Sequence, residues 1–227
     1  MNYLFFFVHP SKFHVFKQTI NHLKNNGHNV EILITSKDVL EELVKNEGWD
    51  YTNVFPEGRK FKNVSPYISA GINFFRTIYR LYKYCRNKKY DLFITDDLLV
   101  YVGKIRKVPT IAFTDDDIKI VKQFSIILKF ANHILAPTIT NLGKYNKKKI
   151  AFDGYKELAY LHPNQFRPNL ELVKNIIPEK DFFIIRLVSL TAYHDVGKSG
   201  ITKEKAKKII NLLGDYGKVY ISAEREL

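Results

Sequence analysis

The segment His9-Pro10-Ser11-Lys12-Phe13-His14 closes an apolar run and opens a helical pattern. Amide groups at a helix start hold anions and polar sugar groups well. A histidine at such a turn can take a proton from a hydroxyl or bond it. His9 is therefore a candidate catalytic group and Ser11 a candidate substrate contact, with capping of the turn as the competing role for His9. For His14, inside the helix start, a structural role competes with substrate binding. Two further clusters, Thr95-Asp96-Asp97 and Thr114-Asp115-Asp116-Asp117, each follow an apolar run. If their strands are neighbours, these carboxylates share one cleft, and crowding lifts one pKa into the range of an acid/base group. Asp96 and Asp115 are the catalytic candidates and Thr114 a substrate-binding one. N-capping of the following helices is the plainer use of any single aspartate.

Three other patterns carry less. Asp115-Asp116-Asp117 fits the D-x-D of metal-dependent sugar transferases and could hold a divalent cation, but three residues are a weak signal and no metal is expected. Ala192-Tyr193-His194-Asp195-Val196-Gly197-Lys198-Ser199 fits a relaxed phosphate loop with alanine replacing the first glycine. Its helix is expected to start only after Thr202, too late to place Lys198 on the first turn, and no later strand ends in a magnesium-holding acid. His194, Gly197 and Lys198 stay as substrate-binding candidates on a loop at a strand end. The basic runs Arg59/Lys60/Lys62 and Lys147-Lys148-Lys149 come without any nucleic-acid module, so nucleic acid is not the expected partner.

The elements that must position these groups alternate. Asn2–Val8, Val30–Thr35, Thr52–Phe55, Asp91–Thr95, Pro109–Phe113 and His133–Ala136 read as strands. Phe13, Phe16, Ile20 and Leu23 mark a first helix stopped by Gly27. Ser36 is the expected cap of a helix over Val39–Glu47. A long amphipathic helix follows Ser65-Pro66, with Ile68, Ile72, Phe75, Ile78, Tyr82 and Cys85 as its expected inner face and Arg76, Arg80 and Lys83 outside. Leu98–Ile105 and Ile118–Phe130 read as further helices. Six strands alternating with helices imply a parallel sheet with right-handed crossovers. The fold class is therefore α/β, with one complete Rossmann-like domain over residues 1–150. Residues 151–180, with Pro163, Pro168 and Pro178, read as an interdomain connection. The strand Phe182–Leu190, a helix through Ala206 and Leu213, and the strand Lys218–Ser222 read as the opening βαβ unit of an incomplete second domain over 181–227, too little for an independent core.

Composition sets outer limits. Apolar residues make up 45% of the 227, so a sizeable core is expected and disorder is not. One cysteine, Cys85, excludes a disulfide framework and a multi-cysteine zinc site. With no signal-peptide pattern and no run of membrane-span length, the expected location is cytoplasmic, with attachment to the inner face of the membrane left open. A formal charge of +13 favours anionic partners.

Several longer stretches act as fingerprints: Val8-His9-Pro10 with Phe13-His14-Val15-Phe16-Lys17, Gly27-His28-Asn29-Val30, Pro109 through Asp115, Gly154-Tyr155-Lys156-Glu157-Leu158-Ala159-Tyr160-Leu161-His162-Pro163, and Arg186-Leu187-Val188-Ser189 with His194-Asp195-Val196-Gly197. In these the chain resembles a mainly archaeal family catalogued as a domain of unknown function with a GT-B-like fold. That family is similar to UDP-N-acetylglucosamine 2-epimerases and lipid-linked-sugar glycosyltransferases. The resemblance implies two facing Rossmann-like domains around a sugar-nucleotide cleft, the second supplying most of the donor site. With that domain cut after one βαβ unit, the chain is expected to be weakly active or inactive alone. The expected substrate is a UDP-sugar, with no separate cofactor. An anionic or lipid-linked acceptor at the membrane surface and a protein carrying the missing C-terminal part are further expected partners. Transfer and epimerisation stay open. A non-catalytic sugar-nucleotide-binding protein and a basic nucleic-acid-binding protein are the alternatives.

Overall fold

Strand β1 (Asn2–Phe7) is apolar on both faces, from Leu4 to Phe7, and such a strand needs cover on both sides. In the computed structural model, which describes residues 1–59, 66–188 and 199–223, it is an interior strand of a parallel sheet. Its neighbours are β2 (Asn29–Thr35) and β4 (Leu92–Thr95). β3 (Thr52–Phe55), β5 (Thr110–Phe113), β6 (His133–Pro137) and β7 (Lys149–Phe152) complete the order β3-β2-β1-β4-β5-β6-β7. The strand sequence reverses direction between β1 and β4, and ligands of open α/β sheets bind outside the carboxyl ends of the strands at such a reversal.

Helices cover both faces. Phe13, Phe16 and Ile20 of α1 (Pro10–Asn25), with Leu40 and Val44 of α2 (Leu40–Asn46), pack on Phe5, Phe7, Ile32 and Ile34. Each such side chain, fully buried, contributes about 1.5–3 kcal/mol. On the other face Leu81 and Cys85 of α3 (Pro66–Cys85), with Leu99 and Val102 of α4 (Leu99–Arg106), pack on Leu4, Phe6, Leu33 and Phe93. Gly103 lets α4 lie flat on the sheet, since a Cβ there would stand 2.2 Å from Thr110 Cγ2.

Four local features differ from the sequence reading. α3 carries apolar residues on two sides: its inner face is Phe74, Thr77, Ile78, Leu81, Tyr84 and Cys85, while Ile68, Ile72, Phe75 and Tyr82 point outward. Ser36 does not cap α2 but donates to the Pro56 carbonyl at 3.2 Å, and the helix starts after Val39. The helix expected over Ile118–Phe130 shrinks to a 3₁₀ turn (Lys122–Phe124) and α5 (Ser125–Phe130), because the Asn141 amide donates to the Asp117 carboxylate and the Ile118 amide to Asn141 O. β7 continues the sheet across residue 150, and α6 (Leu158–Leu161) packs on α1, so the first compact unit is Met1–Phe166.

The second unit, Arg167–Leu227, holds α7 (Leu170–Ile176), β8 (Phe182–Leu187), α8 (Lys203–Gly214) and β9 (Lys218–Ala223). β8 and β9 pair in parallel. Thr202 caps α8, its hydroxyl accepting from the Lys205 amide. Among the described residues of this unit only Leu187 and Ala206 are buried.

Candidate functional site

The reversal between β1 and β4 places three sequence candidates at the carboxyl ends of adjacent strands. His9 follows β1, Asp96 follows β4 and Asp115 follows β5.

His9 is in extended backbone, φ −145°, and is the N-cap of α1, with Pro10 opening the helix. Its Nδ1 accepts from the Ser11 amide at 3.2 Å and lies 3.0 Å from Ser11 Oγ. Capping therefore uses Nδ1 unprotonated, which in the neutral ring puts the proton on Nε2. His9 is exposed at the carboxyl end of β1. Partial desolvation, then Lys37 and Lys12, hold its pKa below the ordinary value, only partly offset by Asp38. The capping and functional readings of His9 thus concern different nitrogens.

Asp96 is 7% exposed and its Oδ1 has no partner among the described residues. Burial pushes its pKa up to about 6, Lys12 pulling down and Asp97 adding to the rise. Its neighbour Asp97 has another task. It accepts both guanidinium nitrogens of Arg59, at 2.9 and 3.3 Å, and the Leu98 amide at 2.6 Å, anchoring the start of α4.

Asp115 lies between two lysines, Lys12 at 3.2 Å and Lys156 in direct contact. Burial opposes its ionisation, but these two ammonium groups outweigh it and hold the carboxyl below its usual range. Burial likewise disfavours the Lys156 cation, and Asp115 outweighs it, so that its pKa is raised. Lys12 also stands over the Phe113 ring, 4.5 Å from its centroid. It is the hub of the site, paired with Asp115 and acting electrostatically on both Asp96 and His9.

The remaining candidates sort differently. Ser11 belongs to the cluster through His9. The ring of His14 packs 5.1 Å from that of Tyr160, and burial lowers its pKa. Thr114 is buried, its amide paired to Leu135 O. Asp116 is exposed and Asp117 turns to Asn141, so the three aspartates diverge. Among the described residues no group of three or more His, Cys, Asp or Glu side chains is placed to hold a metal. His194, Gly197 and Lys198 lie outside the described residues. Two of the three clustered lysines are structural: Lys148 donates to the carbonyls of Leu128, Lys129 and Ala131, and Lys149 to those of Thr138 and Thr140. Lys12 and Lys156 were absent from the sequence candidates. Lys12 is one turn from His9, which is the one signal that could have flagged it.

Beside His9 a cleft of about 480 Å³ opens at the ends of β1, β2 and β3, lined by Val8, Thr35, Lys37, Asp38 and Arg59 among others. Its size suits a small-molecule site, and Lys37 and Asp38 both act on the His9 ring.

No family model and no curated protein sequence matches the chain. Solved structures do. The whole chain aligns with 73% of a UDP-GlcNAc 2-epimerase from Neisseria meningitidis bound to UDP-GlcNAc, at TM-score 0.65 and 13% identity. The fold is GT-B-like. A putative UDP-N-acetylglucosamine 2-epimerase from Listeria monocytogenes aligns over 100% of this chain and 69% of its own, at TM-score 0.61 and 7% identity. The lipopolysaccharide outer core galactosyltransferase WaaB aligns over the same shares at TM-score 0.57 and 13% identity. At these identities the likeness is one of fold. It agrees with the GT-B-like part of the resemblance drawn from the sequence.

Proposed function

We propose that this chain handles a nucleotide sugar, with the sugar held at the carboxyl ends of β1, β4 and β5. One observation carries the reading: Asp96, buried at the strand reversal with an oxygen unpartnered among the described residues and a pKa near 6, feels the Lys12 cation in a fold shared with sugar-nucleotide enzymes. A carboxyl titrating near neutrality is suited to general acid/base work. In this reading Asp96 exchanges a proton with the sugar, and His9 Nε2–H donates to a hydroxyl or phosphate oxygen. Lys12 stabilises negative charge as it develops. Asp115 is a positioning residue that holds Lys12 and Lys156 in place. Ser11 and the open end of α1 offer further donors. The reading covers both transfer and epimerisation of a UDP-sugar. Among the described residues, Ile184 and Ile221 of the parallel β8–β9 pair are exposed, where such sheets are normally covered.

The test is turnover of UDP-N-acetylglucosamine, followed as released UDP or as the 2-epimer. Asp96→Asn should lower it by about 10²–10⁴-fold, the usual worth of a general acid or base. Turnover by Asp96→Asn at the wild-type rate would overturn the assignment.

A further inference from the structure

The outward face of α3 has no role in the site. Ile68, Ile72, Phe75, Tyr79 and Tyr82 recur at steps of four, three, four and three, forming one stripe about 20 Å long. All five are exposed, Phe75 at 73% and Tyr79 at 65%. A helix in a covered sheet normally turns polar residues to water, and contiguous exposed apolar surface marks an interaction site. The stretch of chain that carries the stripe is basic, and although Arg59, Arg76, Arg80 and Lys88 pair with acids from elsewhere, Lys83 and Arg86 add positive charge beside it. Residues 58–90 contain nine Lys or Arg and no Asp or Glu. Helical geometry sets Arg76 and Lys83 along one flank of the stripe, and Arg86 follows its C-terminal end. Glu57, the nearest preceding acid, is already shared between Arg76 and Arg80.

We propose that the outward face of α3 docks this protein onto an anionic lipid bilayer, its apolar stripe entering the headgroup–acyl boundary while Lys83 and Arg86 meet anionic headgroups. Aromatic rings amid aliphatics, edged by cations, are the composition that interfacial helices use. Charge decides between this occupant and a second copy of the chain. Two α3 helices paired along the stripe would bring basic flanks together with no acid from residues 58–90 to separate them. An anionic surface attracts the same flank. The chain would lie on the bilayer, since no helix among the described residues is long and apolar enough to cross one. The inference is independent of the sugar-nucleotide reading.

The experiment is co-sedimentation of the full chain with vesicles of phosphatidylcholine alone or mixed with phosphatidylglycerol, at low and high salt. Binding is expected only to the mixed vesicles, weakening with salt. Phe75→Ser/Tyr79→Ser should lower it at least about tenfold, the share that the apolar area of two half-inserted rings supplies. The emission of Trp49, buried and donating to Asn21, reports whether the variant keeps its fold. A second reading avoids that question: a polarity-sensitive dye on Phe75→Cys should shift to the blue on mixed vesicles. Cys85 does not compete for label, being buried with its thiol pushed up to about 12. No binding to mixed vesicles overturns the proposal. So does equal binding by wild type and double variant with an unshifted dye, which would assign binding to net charge. A wild-type dimer that Phe75→Ser/Tyr79→Ser converts to monomer would instead make the stripe an interface between copies.

Discussion

Replacing Asp96 by asparagine should change the pH dependence of stability in a defined direction. The folded protein holds the Asp96 carboxyl near 6, against an ordinary value of 3.8. Because the folded pKa is raised, Asp96 supports the fold fully below pH 3.8, and that support is lost as pH rises through about 6. Lifting a carboxyl this far corresponds to roughly 3 kcal/mol, at about 1.36 kcal/mol per pKa unit. Asparagine has nearly the same shape and no charge to bury. Any cost of its amide lacking a partner is independent of pH and shifts the whole curve equally. The stability of Asp96→Asn relative to wild type should therefore rise by roughly 3 kcal/mol between about pH 4 and pH 7, most of it before neutrality. Urea unfolding across that range, followed by Trp49 emission, measures it. A difference flat with pH, or one that falls as pH rises, would refute the claim that burial sets the state of Asp96.

Three further expectations follow from single contacts. Gly103→Ala gains helix propensity but drives its methyl into Thr110, so its thermal midpoint should fall, by an amount worth about 1–3 kcal/mol; a rise would show that α4 can lift off the sheet. Burial opposes the charge on Glu31, but Lys88, Tyr84 and Tyr90 outweigh it and lower its pKa. Its contribution is thus present above the ordinary value of 4.5 and lost on acidification through the folded value, so Glu31→Gln should cost stability at neutral pH and progressively less below pH 4.5 in the same urea assay. Amides of β8 and β9 should exchange with deuterium faster than those of β1 and β4, since their unit buries only Leu187 and Ala206 among its described residues; equal protection would contradict this.

Much of the sheet was legible because its strands are short apolar runs and its helices alternate with them. Leu4–Phe7 and Phe93–Thr95 can be little else than buried strands. The positions of His9, Asp96 and Asp115 follow from that alternation and from where such sheets bind ligands. The inner face of α3 was legible only in part, because its apolar residues spread over both the sheet-facing and the outward side. Ile78 and Cys85 do lie inward as read, but only packing shows that Leu81, not Phe75 and Tyr82, meets the sheet. The hub of the site was hidden for another reason. Lys12 meets Asp115 across 103 residues and Lys156 meets it across 41, pairings that arise only when β1, β5 and the segment before α6 are folded together. The helix expected from Ile118 failed because one side chain, Asp117, prefers the Asn141 amide to capping.

The central claim is that a nucleotide sugar is handled at the carboxyl ends of β1, β4 and β5. Amide chemical-shift mapping during titration with UDP-N-acetylglucosamine tests it most directly, because it locates even weak binding. Shifts should cluster at His9–Lys12, Asp96–Asp97 and Thr114–Asp115, and Lys12→Ala should abolish them. Shifts that leave these residues unmoved, or that survive Lys12→Ala unchanged, would contradict the account.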